Sequence, residues 1–481
     1  MSELHLPWLE LAVLIPLLGS AVLSRMRDSQ RARNAALLFS GLALVCAAGE
    51  FVDFTVMHAT QADDHFHLLT FLFGRPFLVI DQLSAPLLPL TAMIFFMVVA
   101  TTSSTKLRRF SFPLALLEEA ITLAMLSCKE PWGVIVLLGL AAVPPYLDLR
   151  ARGKPTRVFA IHMAAFMLFM VLGWSFVESE GGQHHAHSLI AVIPLLIAVC
   201  IRSGIVPFHA WLPDLCENAS FGTALLFLTP LTDGYAAVRL LMATSPSWVL
   251  KSIGTLSLIT AVYTAGMALI QKDARRFFAY LFISHSSLVL VGLEVVTPTA
   301  LTGALSVWLS SALAMTGFGL AIRAVEARRG RVDLSRYLGL YSYTPALAGL
   351  FMVTGLASVG FPGTIGFIGS EMIVDGVVVT YPYIGAVVTI AAALNGIAVV
   401  KAYFSIFTGC VHKASVPLEI RGRERFAVLT LASIIFVGGL FPQANVLSRH
   451  HASEELLKER NVDLHETIGG GEAAHGAEAT H

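Results

Sequence analysis

Apolar stretches of roughly 17 to 28 residues recur along almost the whole chain, each long enough to cross about 30 Å of hydrocarbon as a helix. They fall at about 7–24, 35–57, 77–104, 112–128, 131–148, 157–177, 188–209, 221–242, 249–270, 277–296, 299–325, 342–359, 381–408 and 426–441. In lipid every backbone polar group needs an internal partner, so a chain patterned this way folds as a bundle of helices. Composition agrees, with 56% of residues hydrophobic, 13% charged and a mean hydropathy of +0.73. The expected fold class is an all-α polytopic membrane protein with about fourteen transmembrane helices. A net charge of zero argues against nucleic acid as a partner. The first run, Pro7 to Ser24, leads into basic residues and not into a small-residue cleavage site, so no cleaved signal peptide is expected.

The charges between the runs test this count. Basic clusters lie at Arg25–Arg33, Lys106–Arg109, Arg150–Arg157, Lys272–Arg276, Arg328–Arg336 and Lys413–Arg425, and about fourteen crossings put all of them on one side. Asp63, Asp64, the segment from Glu178 to His187 and the acidic, histidine-bearing tail after Phe441 take the other side. The positive-inside rule then places both termini outside the cytoplasm, as in a bacterial inner membrane. Gly360 to Val379 is read as the second half of a broken helix, because a separate crossing there would carry the last basic cluster outward.

Prolines mark the expected breaks. The run Arg202-Ser-Gly-Ile-Val-Pro-Phe-His-Ala-Trp-Leu-Pro-Asp214 holds Pro207 and Pro213, and Pro362 follows the twelfth crossing. Backbone carbonyls freed by proline are tolerable at membrane depth only where protein or water satisfies them. The two breaks are five crossings apart, an odd number, so equivalent elements run in opposite directions. This predicts two inverted five-helix repeats, each with a broken helix and with a transport site between them. The expected divisions are 1–111 for the first three helices, 112–242 and 249–408 for the repeats, 409–447 for the last helix, and 448–481 for a polar, disordered tail. Within that tail only Glu454 to Arg460 has helical character.

Charges inside apolar runs are costly and normally line a polar pathway or have a partner. Eight residues qualify as pathway candidates: Glu118, Glu119, Arg202, His209, Asp233, His285, Glu371 and Lys401. Arg202 is expected to pair with Asp233 or Glu119, and Lys401 with Glu371. A static ion pair that fixes helix packing is the alternative. His209 titrates near physiological pH and suits proton transfer, or else caps the freed carbonyls. Asp214 reads as a helix cap, and Asp81, Glu50 and Asp53 as interfacial residues near helix ends. Cys46, Cys128, Cys200, Cys216 and Cys410 lack metal-site spacing and read as small core residues. His184, His185 and His187 read as solvated, so no metal site is expected. No phosphate-binding loop or hydrolase elbow is present, so no catalytic site and no cofactor are expected in this chain.

Three stretches carry a resemblance to a known family. They are Val206-Pro-Phe-His-Ala-Trp-Leu-Pro-Asp214, Gln271-Lys-Asp-Ala-Arg-Arg-Phe-Phe-Ala-Tyr-Leu-Phe-Ile-Ser-His285 and Gly355-Leu-Ala-Ser-Val-Gly-Phe-Pro-Gly-Thr-Ile-Gly-Phe-Ile-Gly369. In this order they resemble the antiporter-like membrane subunits of respiratory complex I, Mrp-type antiporters, membrane-bound hydrogenases and some inorganic-carbon uptake complexes. The resemblance covers about residues 75–410. It implies a fourteen-helix subunit of a hetero-oligomeric complex that carries protons, or in some members sodium, along a central axis of charged residues and water.

The departures identify a divergent member. The family glutamate of the fifth crossing falls at Gly139, and the family lysine before the first break falls at Arg202. Family ionisable positions also fall at Phe227, Ser311, Met315 and Ser370, the last next to Glu371. A buried lysine can lose its proton but an arginine stays charged, so Arg202 is a fixed charge where the family has a relay. Two functions therefore follow from the resemblance: a proton-translocating subunit coupled to a partner, or a non-conducting scaffold that anchors one, such as an inorganic-carbon uptake or redox subunit.

Overall fold

The computed structural model describes residues 2–67, 74, 76–102, 109–182, 187–292, 297–378, 381–409 and 420–460. The histidines at 184 and 185, Lys413, Cys410 and the tail beyond Arg460 therefore lie outside the described residues.

Helices dominate, in the order α1 Trp8–Leu23, α2 Ser29–Met57, α3 Leu87–Ala100, α4 Phe112–Leu126, α5 Pro131–Ala141, α6 Val143–Ala151, α7 Arg157–Ser179, α8 Leu189–Arg202, α9 Trp211–Asn218, α10 Phe221–Leu228 and α11 Thr232–Ala236. There follow α12 Ser247–Ile270, α13 Ala274–Val291, α14 Pro298–Arg329, α15 Pro345–Ser358, α16 Ile365–Val378, α17 Pro382–Phe407, α18 Gly422–Leu440 and α19 Gln443–Glu459. Among the described residues, seven helices are long and apolar enough to span a membrane, or eight if the bent pair α18 and α19 counts as one. The chain is thus an integral membrane protein with multiple spans. Fewer helices pass than the fourteen apolar runs predict, because the others are cut short by breaks or loaded with polar groups. α8 stops at Arg202, for example, and α13 carries Arg275, Arg276 and His285.

The elements stack around α14, whose 32 residues extend roughly 48 Å at 1.5 Å per residue. It is buried from Ala300 to Glu326. α16 lies against it through glycines, and a Cβ on Gly303 would sit 2.7 Å from the Gly369 carbonyl oxygen. The outer helices show the reverse pattern, with Leu38, Val45 and Val52 of α2, Ile161 and Leu168 of α7, and Ile397 of α17 exposed. Such apolar faces suit a hydrocarbon solvent.

The basic connections meet at one end of the bundle. Arg275 holds Glu326 at 2.6 Å, Arg328 holds Glu424 at 2.6 Å, and Arg276 holds Glu217 at 2.9 Å. The other end is closed by elements that the hydropathy pattern does not announce. Three short strands, β1 Ser2–Glu3, β2 Gln61–Asp63 and β3 Val79–Asp81, form a sheet with β1 parallel and β3 antiparallel to β2. α19 bends 80° from α18 and lies across this end. Arg449 is buried and donates to the carbonyls of Leu83 and Gln82 at 3.2 and 2.8 Å, and Lys129 meets Glu459 at 2.6 Å. The stretch from 448 to 453, expected to be disordered, is therefore helical and continuous with the helix expected from Glu454, because its polar residues find partners in the bundle.

Candidate functional site

α8 ends at Arg202, and the chain turns through Gly204 in a left-handed conformation, φ +66°. The Trp211 indole donates to the Ile201 carbonyl at 2.9 Å, so protein satisfies a group freed by the break. Pro207 precedes a single 3-10 turn, Phe208–Ala210. Pro213 does not break a helix as expected. It occupies the first turn of α9, where its missing N–H costs no intrahelical bond. Pro362 does lie in a break, between α15 and α16, flanked by Gly360 and Gly363 at φ +81° and +89°.

A further interruption divides the crossing expected at 221–242. α10 ends at Leu228, and Leu231 takes a left-handed φ of 54°. The chain resumes as α11 and a π-helical turn, Ala237–Met242. Trp308 donates to the Pro230 carbonyl at 3.2 Å. The break sets Thr232 and Asp233 at the head of a new helix facing Arg202.

Arg202 is 3% exposed. Its Nη2 donates to Thr232 Oγ1 at 2.7 Å, and its guanidinium lies 4.1 Å from the Phe227 ring centroid. Asp233 and Glu118 are the carboxylates that act on it electrostatically, and among the described residues neither forms a direct ion pair with it. The expected Arg202–Asp233 pairing is thus through space. The alternative with Glu119 is corrected: Glu119 turns to α2 and accepts from Ser40 at 3.0 Å, while Glu118, one position away on α4, faces the Arg202 side. Both Glu118 carboxylate oxygens are buried without a hydrogen-bond partner among the described residues. Asp148 acts on Glu118 from the basic end and accepts from the Ser220 amide at 2.7 Å. A Cβ on Gly139 would meet Met167 Cε at 2.8 Å, so Met167 fills the space a glutamate there would need.

His209 follows the break, half-buried, with its ring 5.5 Å from Tyr263 and 6.1 Å from Tyr280. Asp214 accepts from Asn218 at 3.0 Å. Beyond the break the Val206 amide donates to Thr260 at 3.1 Å, Asn395 donates to Ser284 at 2.8 Å, and Ser284 donates to the Ala261 carbonyl at 2.8 Å. His285 is buried beside them, and its Nε2 has no partner among the described residues. Asn395 was not among the sequence candidates, although it is an amide alone within the apolar run of α17.

Lys401 and Glu371 do not form the expected pair. Lys401 is exposed and caps the Leu269 carbonyl at the end of α12, at 2.7 Å, on the wall of a cleft of about 970 Å³. Glu371 lies on the exposed face of α16. Two residues read as interfacial are instead buried. Asp81 pairs with Arg239 of the π-helical turn at 2.6 Å, and Glu50 has both oxygens enclosed without a hydrogen-bond partner among the described residues. Asp53 holds the His5 ring at 2.6 Å. Cys46, Cys128, Cys200 and Cys216 are buried free thiols.

Broken helices with ionisable side chains buried at the breaks, in a polytopic helical bundle, are features of membrane proteins that move ions, and the comparisons with known proteins narrow the class to antiporter-like membrane subunits. The chain belongs, as a distant homologue, to the family described as NADH:quinone oxidoreductase/Mrp antiporter, whose pattern matches residues 157–395. It is 26% identical to NADH-quinone oxidoreductase subunit M of Rickettsia typhi, over 66% of this chain and 69% of that one. It is 26% identical to NAD(P)H-quinone oxidoreductase chain 4 1 of Synechococcus sp. over 92% and 91%. The fold matches a chain of the Mrp complex from Dietzia sp. with a TM-score of 0.81, at 19% identity, covering 94% of this chain and 98% of that one. It matches a chain of respiratory complex I from Thermus thermophilus with a TM-score of 0.80, at 22% identity, covering 94% and 99%.

Proposed function

We propose that this chain is the ion-translocating membrane subunit of a multi-subunit complex, and that protons move along the buried seam joining its breaks. In this reading it crosses the membrane about fourteen times as two oppositely oriented halves, with the basic end in the cytoplasm. Glu118 carries the reading: a fully buried carboxylate without a hydrogen-bond partner among the described residues, near an arginine, makes no bond that fixes the packing, and binding and releasing protons explains its presence. Asp148 receives protons at the rim and Glu118 passes them inward. Arg202 stays charged and acts as a fixed electrostatic gate between Glu118 and Asp233. Beyond the break, Thr260, Ser284, Asn395 and His285 continue the seam, with bridging water completing it. Lys401 and Glu371 stand outside this route.

A non-conducting scaffold is the second reading, favoured by Met167 filling the family glutamate's place beside Gly139. Proton uptake into vesicles containing the purified complex, driven by a membrane potential, separates the two. In the transport reading the Asp233→Asn complex assembles and loses at least tenfold in flux. Wild-type complex that assembles fully and conducts no better than empty vesicles would leave only the scaffold. Repeating the assay with sodium in place of potassium identifies the ion.

A further inference from the structure

Three connections, the first turn of α13 and the last turns of α14 meet at the basic end on a site beside the rim of the proposed seam. A cavity of about 70 Å³ is walled by Arg109, Arg152, Arg275 and Arg323 together with Phe110 and Gly222. That volume holds several waters, hence a tetrahedral oxyanion. Through Arg109, Phe110 and Arg152 it opens into a cleft of about 610 Å³ whose walls include Leu23, Met26 and Phe112 and also Asp148, the rim carboxylate of the proposed seam, which acts on Arg152.

Positive charge here exceeds what the protein neutralises. Glu326 is the one carboxylate on the cavity wall, and Arg275 already holds both its oxygens, at 2.7 and 2.6 Å. Arg323 is 7% exposed and donates to the Val98 carbonyl and the Thr102 hydroxyl at 3.0 and 2.9 Å, both neutral acceptors. Arg275 acts on it as a like charge, and Glu326 and Glu424, held by Arg275 and Arg328, act on it as opposite charges. Arg152 donates to the Arg109 carbonyl at 3.2 Å, and its Nε is buried without a partner among the described residues. Phe221 and Gly222 in the first turn of α10 line the same space, and a Cβ on Gly222 would come within 3.1 Å of Arg323 Nη2. Buried guanidinium charge whose direct acceptors are neutral, beside carboxylates already held by other arginines, suits an added anion. The planar, multidonor geometry of arginine suits phosphate oxygens.

We propose that this cavity binds a phosphate-type oxyanion. The source is inorganic phosphate, or the phosphodiester of an anionic lipid whose apolar part occupies the adjoining cleft. The intact purified complex, free of phosphate, would be titrated with inorganic phosphate at constant ionic strength in chloride. In parallel it would be placed in bilayer discs of phosphatidylcholine with and without phosphatidylglycerol, with the thermal unfolding midpoint as readout. Either probe raises the midpoint, and Arg152→Gln weakens the response at least tenfold in apparent affinity. A rise with phosphate assigns the free ion, and a rise with phosphatidylglycerol alone assigns the lipid headgroup. Arg109→Gln, at an exposed position, is a second variant that keeps the fold. Response to neither probe, or a wild-type response from both variants, overturns the proposal.

Discussion

Gly139 shows how a missing side chain can be explained by its neighbour. With Met167 in the space, Gly139→Glu overpacks the contact between α5 and α7 and costs about 1–3 kcal/mol. Adding Met167→Ala recovers most of the loss, which the unfolding midpoints of the single and double variants in detergent would show. Thr232→Val leaves Arg202 without its hydroxyl acceptor and costs about 1.5–3 kcal/mol by the same measurement. Glu118, Arg202, Asp233 and His285 were legible in the sequence because each interrupts an apolar run, whereas Asp148, at the end of one, was not singled out. Their partners were not legible, because partnership depends on helix rotation. Glu118 and Glu119 are adjacent, and only the packed bundle decides which faces Arg202 and which faces Ser40. Arg239 was passed over for the same reason, since its partner Asp81 is distant in sequence.

At the scale of elements, the breaks at Pro207 and Pro362 were legible because proline and glycine fall together in apolar surroundings. The break at Leu231 was not, because a leucine at positive φ has no compositional mark and is held by its surroundings at about 1–2 kcal/mol. Close helix approach gives a further prediction. A Cβ on Gly369 would stand 2.8 Å from the Val307 amide nitrogen and 2.9 Å from the Gly303 carbonyl oxygen, both backbone atoms that cannot rotate away. Gly369→Ala therefore pushes α16 off α14 and lowers the unfolding midpoint. Gly349→Ala, with open space around its Cβ, leaves the midpoint unchanged or raises it.

For the whole molecule, the sequence announced a polytopic bundle and the gathering of basic connections. It did not announce the closed opposite end, because the polar residues of α19 look like a solvated tail until their partners are in place. Glu455 on α19 gives this end a pH dependence. Burial pushes its carboxyl up to about 7, Asp81 and Glu459 add to the rise, and Gln61 and Lys129 oppose it. A raised value means that the docked helix keeps a proton the undocked helix releases. Docking is therefore firmest below the ordinary value of 4.5 and weakens as pH rises through about 7. Amide hydrogen exchange across Gln443–Glu459, corrected for intrinsic rates, is expected to be faster at pH 8 than at pH 6, and Glu455→Gln to remove the difference.

The central claim is that protons pass by the Glu118–Arg202–Asp233 seam and not by the exposed lysine of α17. Proton flux through vesicles containing fully assembled complex, comparing Glu118→Gln with Lys401→Met, tests it most directly. The account predicts at least a tenfold loss for Glu118→Gln and wild-type flux for Lys401→Met. Wild-type flux through Glu118→Gln, with assembly intact, would contradict it.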